Sequence, residues 1–372
     1  MLEVDRRQVL AYRIAAHGLH RDVRDAGELA VFDLGVQDVT KRDTAVLALV
    51  ARLPAGAEAL LDDARFTLGW THRGAPHYHR SEEFRALIPA LVPLDDADAE
   101  ARMLWQRKEV TAAGMPAKDV LLTAAKALRD VVDRPMTKGS ASTEVTKRIP
   151  EGFSRWCRGC QATHIHEQLM RLATPLAGLR LEPGTSPATL APLAKRPRIP
   201  AKADVAGATR VVETYLRLHG PATAGDAAGF VGTTRKTVAE RLWPSGLAEV
   251  RVAGRTAYLP AAHLAELESP PEPGVVRLLP PWDPLLQARD RATLVPDKAH
   301  QKELWKILGN PGALLADGEI AGFWRTKSAG KRLEFTLTEL WPLTKAQRTE
   351  AETEAERVAA ARAYPTPRIT WT

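Results

Sequence analysis

The chain has 372 residues, of which 45% are hydrophobic and 26% charged, an ordinary globular composition that is long enough for two or three domains. Its 52 lysines and arginines exceed its 45 aspartates and glutamates, and the formal net charge of +7 favours polyanionic partners. No apolar run reaches the ~18 residues of a membrane helix, no secretory signal is visible, and two cysteines do not make a disulfide framework. We therefore expect a cytoplasmic protein.

Residues 5–80 alternate between helical and strand patterns. Apolar spacing predicts helices in RRQVLAYRIAAHG, AGELAVFDLG and DTAVLALVARL, followed by a hairpin in ARFTLGWTHRGAPHYHR. Just ahead of the third helix, Gln37 and Asp38 lie between two valines in the stretch DLGVQDVTKRD. An aspartate there suits a helix N-cap, whereas an amide beside a carboxylate suits a small active site, and the sequence leaves both interpretations open.

The predicted hairpin turns at Arg73-Gly74 and carries three histidines in eight residues. Small hairpin tips suit contacts with the minor groove of DNA, which makes His72, Arg73 and His77 candidates for DNA binding. Because side chains alternate between the two faces of a hairpin, we expect the histidines not to converge, and no metal site is predicted there.

Residues 118–182 repeat the order of elements, with helices predicted in KDVLLTAAKALRDVV, SASTEVTKRI and CQATHIHEQLMRLA and a strand in GLRLEPG. The third of these helices begins in a Cys/His cluster of Cys157, Cys160, His164 and His166. Cys-x2-Cys is a genuine zinc spacing and His164 falls one helical turn beyond Cys160, but His166 would project from another side of a helix. The cluster is interpreted as packing and no metal is predicted, although the sequence leaves zinc binding open.

A winged helix is predicted most clearly in residues 207–260. Helices in ATRVVETYLRLHG, ATAGDAAGFVG and TTRKTVAERLW precede a hairpin in AEVRVAGRTAYL, which turns at Ala253-Gly254. The third helix of a winged helix usually enters the major groove by its N-terminal residues, although such bundles also serve as protein–protein modules. The candidate DNA-binding residues of this segment are Thr233, Thr234, Arg235, Lys236 and Thr237 and, on the hairpin, Arg255.

Past residue 270 the sequence predicts a β domain, set off by proline-rich linkers at 186–205 and at SPPEPG. GALLADGEIAGFWRTKSAGKRLEFTLTEL has the alternation of a meander, with a type I′ turn at Asp317-Gly318, and TKAQRTEAETEAERVAAARAY predicts a charged terminal helix. Four cations flank the second turn of the meander and form either a phosphate-facing rim or a solvated tip. They are Arg325, Lys327, Lys331 and Arg332.

Several stretches resemble the bacterial winged-helix DNA glycosylase family of AlkZ and YcaQ, in particular its actinobacterial members, in the expected order over nearly the whole chain. They are the tail LLPPWDPLLQARDRATLVPDKAHQKELWKILGNPGALLADGEIAGFW and the stretches RPMTKGSASTEVTKRIPEGFSRWCRGC, WTHRGAPHYHR and YLRLHGPAT. The resemblance implies a mainly α fold with β (α+β), made of three tandem winged helices and a C-terminal β-barrel-like domain. The expected segments are 1–115, 116–195, 206–268 and 274–372.

The same resemblance implies a DNA glycosylase of the bacterial cytoplasm, associated with the nucleoid, that removes alkylated purines and unhooks interstrand crosslinks. The family's catalytic motif is Gln, a spacer, then Gln or Asp, directly after an apolar-Gly-apolar stretch. LGVQDV aligns Gln37 with the first position, makes Asp38 the spacer and places Val39 where the second polar residue belongs. Either Asp38 supplies the missing group from the neighbouring position, or catalysis is weakened, altered or absent.

The chemistry of such a reaction tolerates a small site. A purine alkylated at N7 is already cationic and leaves readily, so we expect Gln37 to hold the attacking water and Asp38 to accept its proton or stabilise the cationic sugar. The alternative is a non-catalytic winged-helix DNA-binding protein or regulator. In either case double-stranded DNA is the expected partner of a monomer without cofactor, nucleotide or metal, since GxGxxG and GKS motifs are missing from the sequence.

Overall fold

The structure is a computed structural model that describes residues 2–111 and 114–372, apart from the side chains of residues 105 and 111. The chain divides into two compact units, each discontinuous in sequence. Unit 1 comprises Met1–Asp63, Thr214–Asp226 and Ser245–Thr372, and unit 2 comprises Ala64–Glu213 and Ala227–Pro244. These units do not follow the consecutive segments expected from the sequence, and the count of winged helices stays a prediction.

Helices occur along the whole chain. The α-helices are α1 (Arg6–Ala16), α2 (Thr44–Val50), α3 (Ser81–Ala90), α4 (Asp96–Arg102), α5 (Arg107–Thr111), α6 (Ala117–Val131), α7 (Lys138–Thr146), α8 (Glu167–Leu176), α9 (Val205–His219), α10 (Ala224–Val231), α11 (Arg235–Thr237), α12 (Leu264–Glu268), α13 (Arg291–Leu294), α14 (Lys298–Leu304) and α15 (Lys345–Ala361). A π-helical turn, Val238–Leu242, continues α11. Within the described part of the chain, no helix has both the length and the apolar character needed to cross a membrane.

The strands are β1 (Leu2–Val4), β2 (Val36–Gln37), β3 (Phe66–Trp70), β4 (Pro76–Arg80), β5 (Met136–Thr137), β6 (Ser154–Cys157), β7 (Ala162–Ile165), β8 (Leu179–Leu181), β9 (Thr189–Pro192), β10 (Leu247–Val252), β11 (Arg255–Pro260), β12 (Val276–Leu279), β13 (Gly312–Ala316), β14 (Glu319–Ala329), β15 (Arg332–Glu339) and β16 (Pro367–Trp371). In unit 1 they pair in the orders β1-β10-β11 and β12-β13-β14-β15-β16. In unit 2 the order is β4-β3-β8-β9-β5, and β6 and β7 form a separate hairpin.

The N-terminal part of unit 1 forms the first predicted helix but not the second. Asp5 and Gln8 cap α1 reciprocally, because each side chain bonds to the other residue's backbone N–H. The helix predicted over AGELAVFDLG is instead two 3-10 turns, Ala26–Glu28 and Ala30–Asp33, separated by extended backbone at Leu29. The Asp25 carboxylate accepts the Gly27 N–H, and this local bond favours a turn over a continuous helix.

The C-terminal sheet confirms the meander but not the barrel. Asp317 and Gly318 both have positive φ, 48° and 85°, as a type I′ hairpin turn requires. The sheet stays open because its outer strands are β12 and β16, and α15 carries the chain back so that β16 adds to β15 in parallel. Helix α15 also packs against β12 and β16. The expected β-barrel-like domain is therefore an open five-stranded sheet with a helix against it.

In unit 2 the third predicted helix of the 118–182 segment is partly wrong. Cys157 ends β6, and the residues that follow turn back into β7, in which His164 pairs with Arg155. Helix α8 begins only at Glu167. The alternation in the letters ATHI fits an exposed strand as well as it fits a helix start, which is why the helical prediction failed.

The elements predicted over 207–260 are present, with α9, α10 and α11 preceding the β10–β11 hairpin. The hairpin turns at Ala253-Gly254, whose φ values of 48° and 78° match a type I′ turn. Helix α10 ends at Val231 and is followed by Gly232 (φ 88°), a left-handed position that glycine adopts without strain.

Candidate functional site

The motif segment, defined as residues 36–45, joins β2 to α2 in unit 1. The Thr44 hydroxyl holds its two ends together, because it accepts the Val39 N–H at 2.7 Å and donates to the Gln37 carbonyl oxygen at 3.1 Å. Asp43 has left-handed backbone (φ 52°) immediately before α2, so the chain turns sharply between the strand and the helix. These bonds fix the backbone on which Gln37 and Asp38 are carried.

Asp38 caps helix α2 from a position six residues before the first residue of the helix, Thr44. Its Oδ1 accepts the Ala45 N–H at 3.3 Å and its Oδ2 accepts the Thr40 hydroxyl at 3.2 Å, while the residue is only 4% exposed. Burial raises the pKa of this carboxyl, and the two hydrogen bonds oppose the rise. The capping interpretation of Asp38 thus has direct support in its contacts.

Gln37 is also buried, at 9% exposure, but its side chain is in a different situation. Among the residues that the structure describes, the Gln37 carboxamide has no hydrogen-bond partner, and only its backbone carbonyl is held, by Thr44. A nearly buried amide without a protein partner retains both its donor and its acceptor for a ligand or a water molecule. Val39, in the third motif position, has no such group.

A cluster of three cations is centred on Arg42 of the motif segment, which was not among the residues predicted from the sequence. Arg42 lies 5.6 Å above the Trp282 ring and donates to the Asn310 carbonyl oxygen at 3.0 Å. Burial, followed by the charges of Arg325 and Arg362, lowers the pKa of Arg42. Arg42 has no carboxylate partner within the described residues, so this partly desolvated guanidinium favours an incoming anion.

The two neighbours of Arg42 are each held by an acid. Arg362 pairs with Asp43 at 3.1 Å, and Arg325 pairs with Glu303 at 3.0 Å and donates to the Gly309 carbonyl oxygen. Arg325 was predicted as part of a rim of four cations, and the structure places it near Arg42 rather than at the turn. The remaining three, Lys327, Lys331 and Arg332, are exposed and unpaired in the described part of the chain.

The start of α11 presents two of the five residues predicted for DNA binding. Thr234 caps the helix through the Thr237 N–H, with the two hydroxyls 2.8 Å apart, and Thr233 donates to the Asp98 carboxylate. Arg235 and Lys236 are exposed and make no ion pair with another described residue. The three threonines thus shape the turn, while the two cations face solvent.

The hairpin between β3 and β4 does not present an exposed tip. His72 and His77 are only 3% and 1% exposed, and together with His79 they form a cluster with ring centroids about 6 Å apart. Burial lowers the pKa of both His72 and His77 well below the usual range, so both rings are neutral. Contrary to the prediction, the three histidines converge. His72 and His77 are buried, so their predicted contact with DNA has no direct support in this arrangement.

Arg73, at the turn of the same hairpin, is half-buried. It donates to the Phe230 carbonyl oxygen and lies 4.9 Å above the Phe230 ring. Its guanidinium therefore anchors the turn on α10, and the sequence prediction of a DNA contact at Arg73 has no direct support in this arrangement.

Arg255, predicted to contact DNA from the β10–β11 hairpin, lies at the edge of a cavity of about 580 Å³ in unit 1. Three more arginines line this cavity, Arg6, Arg289 and Arg291. The Nε of Arg289 is buried without a hydrogen-bond partner among the described atoms. The cavity thus brings Arg255 together with arginines that are distant from it in sequence.

Comparison with known proteins bears on the whole chain. A solved structure, that of the Streptomyces sahachiroi DNA glycosylase AlkZ, covers 100% of both chains with a TM-score of 0.76 at 20% sequence identity, which supports the fold. No curated protein sequence matches the chain. The sequence matches the model of the family described as DNA glycosylase AlkZ-like over residues 31–361. The chain therefore belongs to the AlkZ-like DNA glycosylase family.

Proposed function

We propose that this protein hydrolyses the N-glycosidic bond of N-alkylated purines in double-stranded DNA, with Gln37 positioning the attacking water. The unpaired carboxamide of Gln37, in the first position of the family motif, carries the proposal. Its carbonyl oxygen accepts a hydrogen bond from the water and orients the water oxygen towards C1′ of the sugar.

The reaction needs little more from the protein. The bonding electrons of the C1′–N bond return to the cationic alkylated base, which leaves as a neutral molecule, and the water oxygen bonds to C1′. The water loses a proton to solvent, and the product is an abasic sugar with a hydroxyl at C1′. Because the leaving group is activated by its own charge, orientation of the water is the main contribution expected of the site.

In this scheme Asp38 is a positioning residue. Both of its oxygens already accept hydrogen bonds from α2 and from Thr40, and the residue is nearly inaccessible. The carboxylate therefore holds the motif segment against the first turn of α2. It does this without taking the proton of the water.

Arg42 is proposed to bind a phosphate next to the damaged nucleotide. It lacks an acidic partner, it is flanked by Arg325 and Arg362, and it follows Gln37 by only five residues. The exposed cations Arg235, Lys236, Lys327, Lys331 and Arg332 are proposed to add further phosphate contacts that do not depend on sequence.

The function is tested by incubating the full-length protein with a duplex that carries one N7-alkylguanine and measuring alkali-labile abasic product over time. A no-enzyme duplex is the control, because this lesion depurinates spontaneously. We expect release well above the control rate. A duplex with two tethered guanines is the second substrate, since release of one tethered guanine would unhook the crosslink. Tight, salt-sensitive binding without release from any alkylated duplex would instead favour the non-catalytic DNA-binding protein.

The positioning role of Asp38 predicts a split between two substitutions. Asp38→Ala removes the cap of α2 and lets the motif segment shift, so single-turnover excision should fall tenfold to about a hundredfold. Asp38→Asn keeps an oxygen that accepts the Ala45 N–H, so its excision rate should stay within about threefold of the wild-type rate. Single-turnover rates at saturating enzyme measure both effects.

The pH dependence provides the control for this prediction. The raised pKa of Asp38 means that the folded state favours its protonated form. Its contribution to stability is complete below its unfolded pKa of about 3.9 and is lost as the pH rises through the higher folded value. Thermal denaturation measured from pH 4 upwards, in steps of about one pH unit, should show wild type losing stability relative to Asp38→Asn. An inactive Asp38→Asn protein would contradict the positioning role and make Asp38 a general base.

Arg42→Gln is expected to weaken binding of undamaged and damaged duplex alike. Loss of one phosphate contact should reduce the slope of log affinity against log salt concentration by about 1. Fluorescence anisotropy over a salt series measures the slope. Arg42→Lys retains the charge and should keep the slope, so an equal loss in both variants would show that Arg42 acts through its stacking on Trp282 instead.

A further inference from the structure

The hairpin of β6 and β7 brings two cysteines and a histidine together at its closed end. Cys157 ends β6, Cys160 lies in the turn, and His164 lies on β7 two residue pairs away from Cys157. Both cysteines are free thiols. The two sulfurs and one ring nitrogen of His164 all lie within 4.8 Å of one another.

The turn is arranged so that backbone donors face a sulfur. The backbone N–H groups of Gly159 and Cys160 both bond to the Sγ of Cys157. Gln161 completes the turn in left-handed backbone (φ 51°). Amide donors directed at a sulfur stabilise a thiolate, which is the form of cysteine that binds metal.

The imidazole ring of His164 contacts a hydroxyl group on helix α7. Its Nδ1 faces the Ser142 hydroxyl at 3.5 Å, and its Nε2 is buried without a partner among the described atoms. A buried ring nitrogen without a partner is uncommon, and a histidine that binds a metal usually has its other ring nitrogen in a hydrogen bond that orients the ring. Ser142 lies on α7, which packs against β7.

The hairpin also lacks the apolar burial that would hold it together. Its strands have four residues each, and Arg155, Trp156 and Cys160 are exposed, with Trp156 at 59%. A two-stranded hairpin of this length is marginal without a further constraint. A bound metal supplies such a constraint by linking the turn to the returning strand.

We propose that this hairpin binds one Zn²⁺ through the Sγ atoms of Cys157 and Cys160 and the Nε2 of His164, with Ser142 orienting the histidine. Two thiolates and an imidazole form a donor set that suits Zn²⁺ over the harder divalent cations. Water completes the fourth position. The site is independent of the glycosylase proposal, because none of its residues belongs to the motif segment.

The test is the metal content of the full-length protein, purified without chelator from cells grown with added zinc. Elemental analysis should find one zinc per chain in wild type, and Cys157→Ser and Cys160→Ser should lose it. His300→Gln, a histidine outside the hairpin, should retain it. Ser142→Ala removes no ligand and should lower zinc affinity by about tenfold or more in a chelator competition.

Thiol chemistry on the wild-type protein tests the site without any substitution. Both cysteines should resist a thiol-specific reagent in the zinc-loaded protein and should react after zinc is removed with a chelator. Addition of Co²⁺ to the metal-free protein should produce thiolate-to-cobalt charge-transfer absorption, which Cys160→Ser should abolish. The proposal would be overturned if the protein contained substoichiometric zinc and its thiols reacted equally before and after chelator treatment. A Cys157–Cys160 disulfide in the protein as purified would also overturn it.

Discussion

Gln37→Ala is expected to lower the rate of base release from a duplex with one N7-alkylguanine by about a hundredfold. The carboxamide of Gln37 has no partner among the described residues, so its loss removes a contact made only with the water and the reacting sugar. Affinity for the damaged duplex should stay within about twofold, because the proposed phosphate contacts involve other residues. Single-turnover excision and anisotropy, measured on the same duplex, separate the two effects.

Lys41→Ala is the matched control for this substitution. Lys41 is exposed in the same segment and contributes no group to the proposed water site. Its excision rate at saturating enzyme should match wild type, which would show that the motif segment tolerates an alanine near Gln37. Unchanged excision by Gln37→Ala would remove the amide from the mechanism. Equal losses of excision and of duplex affinity would make Gln37 a binding residue.

The motif segment shows how far sequence reasoning reaches. Gln37 and Asp38 were identified from the letters around them, because both the family motif and the N-cap of a helix are local patterns. The two interpretations of Asp38 differ only in where its oxygens point, and that depends on Thr40 and Ala45 in the folded chain. The sequence pattern alone does not show in which direction the Asp38 carboxylate points.

Contacts between distant residues account for most of what the sequence did not predict. Arg42 becomes a candidate phosphate ligand only through Trp282, Asn310 and Arg325, which lie more than two hundred residues away. The convergence of His72 with His77 depends similarly on the fold, because alternation along an ideal hairpin separates them. Residue His72 lies in the irregular turn, where that alternation does not apply.

Asp283→Ala is expected to destabilise the protein by about 3–5 kcal/mol. Asp283 forms two hydrogen bonds of 2.8 Å with the guanidinium of Arg52, and neither side chain is exposed to solvent. Arg52 also donates to the carbonyl oxygens of His17 and Ala48, so its charge is fixed in the core of unit 1. Removal of Asp283 leaves a buried cation without a counterion, and it also removes the acceptor of the Leu285 N–H.

Urea denaturation followed by circular dichroism measures this loss, with the slope of each transition compared as well as its midpoint. Glu272→Ala is the matched control, because the Arg7–Glu272 pair is largely exposed and should contribute no more than about 1 kcal/mol. The double substitution Arg52→Met with Asp283→Leu should be less destabilising than Asp283→Ala alone, since it removes both charges together. A double variant as unstable as the single one would show that the lost hydrogen bonds and packing, rather than the uncompensated charge of Arg52, dominate the effect.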